Sequence, residues 1–385
     1  MLIYNKSNIF DVTSYGAVGD GKTEASQGFL KAWADVCGKE NAIPTLLIPA
    51  NQTFLLNPVV FNGRNCKSNA IHVQLQGTIL APDNVEAWDD KRGGNWLRFS
   101  DVFGLIIDGG GRIDGRGEIW WRLFRALLFH NCSNLQLSGV HHVNSQKNHI
   151  SLNGCNNVQL SHLTITGPED SPNTDGVDVC YSTNVQIRSS FIATGDDCIA
   201  INGFSSFINI SEIACGPGHG ISVGSLGKGG AYETVEEVHV RNCTFYRTRN
   251  GARIKTWQGG RGYARKISYE DIILIDTRNP IIITHEYMNH HLLPADPTAA
   301  PPPPSSSDVE IRDVWFRRVN GTSSVGRAIN FDCGGAAGCT GVHLEDVHIV
   351  SSPTVIPPVE AVFAECNNAH GDSVSTTPPV GCLLP

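Results

Sequence analysis

Four short segments of the chain carry residues that can perform acid–base chemistry. They are spaced 21 to 35 residues apart and read Asn173-Thr-Asp175, Gly195-Asp196-Asp197, Gly218-His219-Gly220 and Arg253-Ile-Lys255. Together they supply three carboxylates, one imidazole and two cations. Hydrolysis of a glycosidic bond requires a carboxylic acid that protonates the leaving oxygen and a carboxylate that activates water. The residue types therefore suit that reaction.

The charges of these segments complement one another. Carboxylates that crowd together do not all ionise readily, so we expect one of them to stay protonated as the acid. His219 is placed to tune this proton balance. Arg253 and Lys255, two residues apart on a strand, point to the same side and suit an anionic group. Residues 228–266 hold nine Lys or Arg against three Glu in a chain of net charge −8, so this segment is either a local anion site or a solvated basic face.

The elements that must position these residues repeat along the chain. From residue 100 onward, short alternating runs recur at intervals of 23 to 42 residues, with equivalent apolar positions at Leu135, Val158, Val185, Ile208, Val238, Ile267, Val309 and Val342. A period of this size indicates a solenoid or a propeller. Long amphipathic helices are missing from the pattern, which favours an all-β, right-handed parallel β-helix; an antiparallel β-sandwich is the alternative.

Stacking of coils would bring the four segments together. Residues one coil apart lie about 4.8 Å from each other, the spacing of neighbouring strands. We therefore predict that the four segments share one face of the solenoid. The Asn at the start of several runs, as in Asn134, Asn157 and Asn184, predicts a turn with positive φ.

The N-terminal part predicts a capping helix and a glycine-rich turn. Thr23 is the expected N-cap of a helix that ends at Cys37-Gly38, and strands are expected over 45–48 and 71–75. Gly16 to Thr23 also matches the phosphate-binding Walker A pattern. Because no acidic partner strand and no βαβ units accompany it, we interpret this segment as a turn.

Composition narrows the class of protein. The chain of 385 residues is 41% hydrophobic and 17% charged, which excludes extended disorder. Its net charge of −8 argues against a nucleic-acid partner. The sequence has no apolar run of about 18 residues, so we predict no membrane-spanning helix. We expect a single domain over residues 1–385, with a Pro- and Ser-rich surface loop at 294–307.

Several longer motifs resemble the plant polygalacturonases of glycoside hydrolase family 28. They are the four segments in this order, the sequences CGPGHGISVGSLG (215–227) and IKTWQGG (254–260), the opening FDVTSYGAVGDG (10–21) and GGGRIDGRG (109–117). The resemblance covers nearly the whole chain. It implies a pectin lyase-like parallel β-helix and hydrolysis of α-1,4 bonds between galacturonates in demethylated pectin.

The resemblance also implies a role for each catalytic residue. Asp196 matches the general acid, and Asp175 with Asp197 matches the pair that activates water in an inverting hydrolysis. His219 matches the histidine beside the acid.

Substrate contacts follow from the same resemblance. Arg253 and Lys255 match the residues that bind the galacturonate carboxylate, whereas Asn173 and Tyr287 match further contacts. The segment Thr284-His-Glu-Tyr287 departs from the family, in which Asp-Gln follows the preceding strand. We expect no metal and no cofactor.

The resemblance implies disulfides among the twelve cysteines. The implied pairs are Cys198–Cys215, Cys333–Cys339 and Cys366–Cys382, with Cys37–Cys66 as a further pair and Cys132, Cys155, Cys180 and Cys243 as core thiols. Six N-glycosylation sequons are present, at Asn5, Asn51, Asn131, Asn209, Asn242 and Asn320. We expect a secreted monomer of the cell wall whose signal peptide is missing from this version of the chain.

Three alternative functions stay open. A hydrolase of a related polymer, such as rhamnogalacturonan or xylogalacturonan, would use the same fold. A pectate lyase is less favoured, because the Asp-rich set suits hydrolysis better than elimination. A non-catalytic wall protein that binds pectin belongs to a different class, and the three intact carboxylates argue against it.

Overall fold

The computed structural model of the protein describes residues 8–84, 88, 94–119, 121, 125–287, 307–335, 338–354 and 361–385. Strands make up most of the secondary structure in these ranges. The chain forms two compact units, Met1–Ile199 with Ser211–Pro217, and Ala200–Ile210 with Gly218–Pro385. The expectation of a single domain stays a prediction. No helix of the described ranges has the length and apolar character needed to cross a bilayer.

The first unit contains short parallel strands. They are β1 (Ile9–Asp11), β2 (Asp20–Glu24), β3 (Thr45–Ile48), β4 (Thr53–Leu55), β5 (Val59–Asn62), β6 (Ile71–Leu75), β7 (Thr78–Leu80), β8 (Asn95–Ser100), β9 (Leu105–Asp108), β10 (Arg112–Asp114), β11 (Arg125–His130), β12 (Ser133–Ser138), β13 (His141–Val143), β14 (Ile150–Asn153), β15 (Asn156–Ser161), β16 (Thr164–Thr166), β17 (Val177–Cys180) and β18 (Thr183–Ala193). Next along the chain come β19 (Ile199–Ile201) and β20 (Ser205–Cys215), which contribute residues to both units.

These strands pair in three parallel series. One series joins β1, β3, β6, β9, β12, β15 and β18. A second joins β2, β4, β7, β10, β13, β16 and β18, and a third joins β5, β8, β11, β14 and β17. From β3 to β17 each coil thus contributes one strand to each series, and the longer β18 continues both the first and the second series. This is a parallel β-helix, as predicted, and it excludes the antiparallel sandwich.

The second unit has longer strands in two parallel sheets. Its strands are β21 (Ile221–Leu226), β22 (Tyr232–Tyr246), β23 (Asn250–Trp257), β24 (Arg261–Thr277), β25 (Asn279–Tyr287), β26 (Asp308–Ser323), β27 (Arg327–Asp332), β28 (Cys339–Ser351), β29 (Phe363–Asn367) and β30 (Ala369–Thr377). The even-numbered strands from β22 to β30 form the long-strand sheet. The odd-numbered strands from β21 to β29 form the short-strand sheet.

Stacked side chains fill the coils and asparagines form their corners. In the first unit Phe99 stacks between Phe61 and Phe129 at centroid distances of 4.8 and 5.6 Å. Asn134, Asn157 and Asn184 have φ of 55, 56 and 54°, as predicted for a left-handed turn position. Asn tolerates this conformation, so the chain turns at the same point in successive coils.

The N-terminal helix α1 (Ser26–Gly38) confirms the predicted helix but not its cap. Ala25 occupies the N-cap without a side-chain hydrogen bond. Thr23 lies in β2 and donates to the carboxylate of Asp20 at 2.8 Å. The backbone N–H groups of Lys22 and Thr23 also donate to Asp20, which lowers the pKa of this carboxyl to about 2. A carboxylate therefore takes the N–H groups that a phosphate would need, and the Walker A match has no structural counterpart.

One predicted repeat position is displaced. Val309 was expected to match Ile267, but Ile267 pairs with Val314, whereas Val309 pairs with Gly262. Both valines are buried in β26, because Asp313 between them adopts a φ of 57° and restarts the alternation. Periodicity alone does not distinguish the two. The predicted surface loop lies outside the described residues except for Ser307.

Candidate active site

The turn that contains Asp175 lies between β16 and β17 in the first unit. The carbonyl oxygen of Asp175 accepts a hydrogen bond from the backbone N–H of His149 at 2.8 Å. The next N–H, of Gly176, donates to the carbonyl oxygen of Asp197 at 2.9 Å. The Asp175 turn is therefore bonded to a neighbouring coil on each side. Asn173, in the same turn, adopts a left-handed φ of 57°.

The turn of Asp196 and Asp197 lies between β18 and β19. Its Gly195 N–H donates to Thr174 Oγ1 at 3.1 Å, and the N–H of Asp197 donates to Asp196 Oδ1 at 2.9 Å. A Cβ at Gly195 would lie 2.1 Å from the carbonyl oxygen of Ser171, so this close approach requires glycine.

The first unit thus brings the three aspartate residues onto adjoining turns, as the sequence predicted. Asp197 is only 1% exposed, whereas Asp175 and Asp196 are half-buried. Cys198 follows directly and forms a disulfide with Cys215. This cross-link fixes the chain next to the carboxylates. The other three disulfides are Cys37–Cys66, Cys333–Cys339 and Cys366–Cys382, as the resemblance implied.

A buried histidine, which was not predicted from the sequence, supports the Asp175 turn. The His149 ring lies with Nδ1 3.3 Å from the carbonyl oxygen of Asp175 and Nε2 3.3 Å from that of Thr166. Burial lowers the pKa of His149 to about 4, so the ring is neutral near neutral pH. A neutral ring donates from one nitrogen only, and Nδ1 is the donor that holds Asp175, because the N–H of Ser145 points to Nε2 at 3.4 Å. His149 lies 26 residues before Asp175, which is about one coil, and this spacing is the sequence signal that could have identified it.

His219 lies in the second unit, in the turn before β21. Its carbonyl oxygen accepts a hydrogen bond from Asn250 Nδ2 at 3.2 Å. Gly220 has a φ of +85°, and a Cβ there would lie 2.2 Å from the carbonyl oxygen of Asn250. The backbone at this turn therefore requires glycine at position 220, directly after the imidazole. Asn250, only 3% exposed, was not predicted as a support.

Arg253 and Lys255 lie on β23 in the short-strand sheet. Their side chains are 9% and 6% exposed, and Ile254 between them is in the core. Arg253 Nε donates to the Oγ of Ser222, its register partner on β21, at 2.8 Å. The buried Tyr269 hydroxyl lies 3.1 Å from the carbonyl oxygen of Ile221 and 3.3 Å from that of Arg253. Both cations are thus held by a tightly packed strand.

Tyr287 ends β25 and lies beside Lys255. The Lys255 ammonium is 5.1 Å from the centroid of the Tyr287 ring. Trp257, the register partner of Tyr287, packs edge-on against it at 5.2 Å. The predicted catalytic residue His219 and the predicted substrate contacts therefore fall on consecutive coils of the second unit; these contacts are Arg253, Lys255 and Tyr287.

The basic segment divides between two sheets. On the long-strand sheet Arg265 pairs with Glu236 at 2.6 Å and Lys266 pairs with Glu237 at 2.7 Å. These ion pairs neutralise part of the excess positive charge of residues 228–266. The cations of β23 lie on the short-strand sheet, so the segment is partly a solvated paired face and partly a candidate anion site.

The segment that departs from the family places a histidine inward. Thr284 pairs in register with Lys255, and Glu286 is exposed. His285 is 1% exposed and its Nδ1 lies within hydrogen-bonding distance of the carbonyl oxygen of Gly334. Burial lowers the pKa of His285. That the aspartates of the first unit and the cations of the second share one face stays a prediction, as does the absence of a metal.

Comparison with known proteins agrees with this architecture. The profile of glycosyl hydrolases family 28 matches residues 37–376. A probable polygalacturonase of Arabidopsis thaliana is 46% identical, over 99% of this chain and 82% of the relative. A polygalacturonase of Cryptomeria japonica is 37% identical, over 89% of this chain and 67% of the relative.

A solved structure has the same fold. Endo-xylogalacturonan hydrolase from Aspergillus tubingensis superposes with a TM-score of 0.77 at 23% identity, covering 96% of this chain and 99% of that enzyme. Parallel coils with aspartates on adjoining turns thus define a β-helix glycoside hydrolase. The chain belongs to glycosyl hydrolases family 28, as its motifs implied.

Proposed function

We propose that this protein is a polygalacturonase that hydrolyses α-1,4 bonds between galacturonates in demethylated pectin. The observation that carries the proposal is the set of three aspartates on adjoining turns of a family 28 β-helix. Two neighbouring turns with carboxylates supply both halves of acid–base hydrolysis.

Asp196 is the proposed general acid. Its proton passes to the glycosidic oxygen as the bond from that oxygen to the anomeric carbon breaks. Asp175 and Asp197 take a proton from the attacking water, whose oxygen bonds to the anomeric carbon from the opposite side and inverts its configuration. His149 serves this step indirectly, because it fixes the backbone of Asp175.

Arg253 and Lys255 are proposed to bind the substrate carboxylate. Both residues are already buried, so little further side-chain entropy is lost on binding. Asn173 and Tyr287 are proposed further contacts, and His219 is proposed to tune the proton of Asp196. A polyanionic substrate suits this set in spite of the net charge of −8 of the chain.

We propose that the protein is secreted and acts in the cell wall as a monomer. Four disulfides support an oxidising compartment, since cytosolic thiols are kept reduced. The sequons at Asn131, Asn209, Asn242 and Asn320 agree with that route.

The test replaces the acid. Asp196→Asn keeps the size of the side chain but cannot protonate the leaving oxygen, so kcat on polygalacturonate should fall by roughly 10²- to 10⁴-fold. Reducing ends and the absorbance of unsaturated products are followed together. Hydrolysis yields reducing ends without that absorbance, whereas a lyase yields both.

Asp170→Asn is the matched control. Asp170 is exposed on the neighbouring loop, the one that carries Asp175, so its substitution should leave kcat unchanged. Full activity of Asp196→Asn would contradict the proposed mechanism. A native chain that binds polygalacturonate without cleaving it would instead support the alternative of a non-catalytic wall protein. Cleavage of rhamnogalacturonan but not of polygalacturonate would assign the enzyme to a different polymer.

A further inference from the structure

A row of two aromatic rings with a cation at each end lies near the ends of three strands in the second unit. Lys228 lies in the turn after β21, with its ammonium 5.3 Å from the centroid of Trp257 at the end of β23. Trp257 contacts Tyr287 at the end of β25 at 5.2 Å, and Tyr287 contacts the ammonium of Lys255 at 5.1 Å. Lys228 is exposed, so this row runs from a buried cation to solvent.

The charge of Lys228 is held in place without being cancelled. An aromatic face attracts an ammonium through its quadrupole and leaves the net charge intact. The three glutamates of the segment are engaged elsewhere: Glu233 accepts the N–H of Gly227 at 2.7 Å, while Glu236 and Glu237 pair with cations of the long-strand sheet. Within the described part of the chain no carboxylate forms an ion pair with Lys228.

The backbone around Lys228 is also fixed. Gly227, Gly229 and Gly230 adopt φ of 83, 66 and 83°, which only glycine does easily. A Cβ at Gly227 would lie 2.3 Å from the Cα of Gly260, so the turn packs closely against the next coil. The Glu233 carboxylate ties this turn to β22. A turn built this tightly presents Lys228 at a defined position.

We propose that Lys228, positioned by Trp257, binds the carboxylate of a second uronate in the chain, next to the one assigned to Arg253 and Lys255. This inference rests on the proposed function and deepens it. The preferred ligand is an acidic oligosaccharide with free carboxylates on neighbouring sugars. A methyl ester on the second sugar removes the anion that Lys228 recognises, so the site selects contiguous demethylated stretches.

The test measures binding in the Asp196→Asn background, in which oligogalacturonates persist. Calorimetry gives Kd for oligomers of increasing length with Lys228→Gln. We expect Kd to rise about tenfold for the longer oligomers, as for loss of one charge-assisted hydrogen bond, and to stay unchanged for the shortest. Arg253→Gln should weaken binding of oligomers of every length. Lys31→Gln, on α1, is the control and should leave Kd unchanged.

The role of Trp257 is tested by a double-mutant cycle. Trp257→Leu should weaken long oligomers and remove most of the further effect of Lys228→Gln, whereas Trp257→Phe keeps a ring and should restore much of the coupling. Thermal unfolding is measured on each variant. The inference would be overturned if Lys228→Gln had the same Kd as the parent protein for oligomers of every length.

Loss of binding at every length together with a lowered Tm would also overturn it, since Lys228 would then only brace the turn. The proposed function fails separately, if the native chain releases no reducing ends from polygalacturonate. Length-dependent weakening would support the second uronate site even then.

Discussion

Two buried histidines lie behind the Asp175 turn, and their protonation is coupled to folding. His142 and His149 pack edge to face with ring centroids 5.0 Å apart. Burial lowers the pKa of both, that of His149 to about 4 and that of His142 well below its usual value. Within the described residues neither ring nitrogen of His142 has a hydrogen-bond partner. Both rings are therefore neutral in the folded protein.

Acid should weaken the fold through these rings. Above the unfolded-state pKa of about 6.5 both states are neutral, and below it only the unfolded chain takes up the proton, so stability falls as the pH drops toward 4. One such histidine accounts for a loss of about 3 kcal/mol over that window, from the shift of His149. We predict that His142→Phe narrows the difference in unfolding free energy between pH 7 and pH 4.5.

Urea unfolding at the two pH values checks this prediction. His141→Gln is the control, because His141 is exposed on the same strand. The explanation is wrong if His142→Phe leaves the difference as large as in the native chain.

At the scale of elements, α1 closes the first coil of the first unit. Phe29 packs against Phe54 at 5.4 Å, and Trp33 packs against Phe61 at 5.3 Å and Phe99 at 5.7 Å. The Trp33 indole N–H also donates to the carbonyl oxygen of Asn62 at 3.0 Å. One tryptophan thus joins the helix to two strands of the third series.

We predict that Trp33→Ala lowers the unfolding free energy by about 3–5 kcal/mol, the usual cost of removing a large buried ring. Lys31→Ala, on the exposed side of the same helix, should change it by less than about 0.5 kcal/mol. Denaturant unfolding followed by circular dichroism measures both. Equal midpoints for the two variants would show that the helix does not stabilise the coil.

At the scale of the whole molecule, disulfides stabilise each unit near its functional or terminal segments. Cys366–Cys382 closes a separation of 16 residues at the C-terminal end. Chain entropy alone predicts about 3 kcal/mol for a loop of that size. We predict that the double substitution Cys366→Ser/Cys382→Ser lowers Tm by on the order of 5–10 °C.

Thermal scans with and without a thiol reductant extend this prediction. The native chain should lose more stability on reduction than the double variant, because the variant has one disulfide fewer to break. The same shift in both proteins would mean that Cys366–Cys382 contributes nothing.

Much of this architecture was predictable from the chain, for a physical reason. Alternating runs specify coils, and Asn at several corners marks the turn because it tolerates positive φ. Phe207 and Lys266 adopt the same conformation at their corners, where residue type gave no such signal. The predicted register of Val309 was wrong, because two buried valines in one strand satisfy the same pattern. Supports such as His149, Ser222 and Tyr269 act through carbonyl or hydroxyl groups one or two coils away. Their partners depend on register, which residue type does not reveal.

The position of α1 has one more consequence. Among the described strands β1 has a parallel partner only in β3, and β5 only in β8, and the helix lies against both. An open strand edge is a template on which another chain can add, and repeated addition produces fibres. The helix blocks that addition at the β1 and β5 edges. It therefore hinders end-to-end polymerisation of the protein at high concentration.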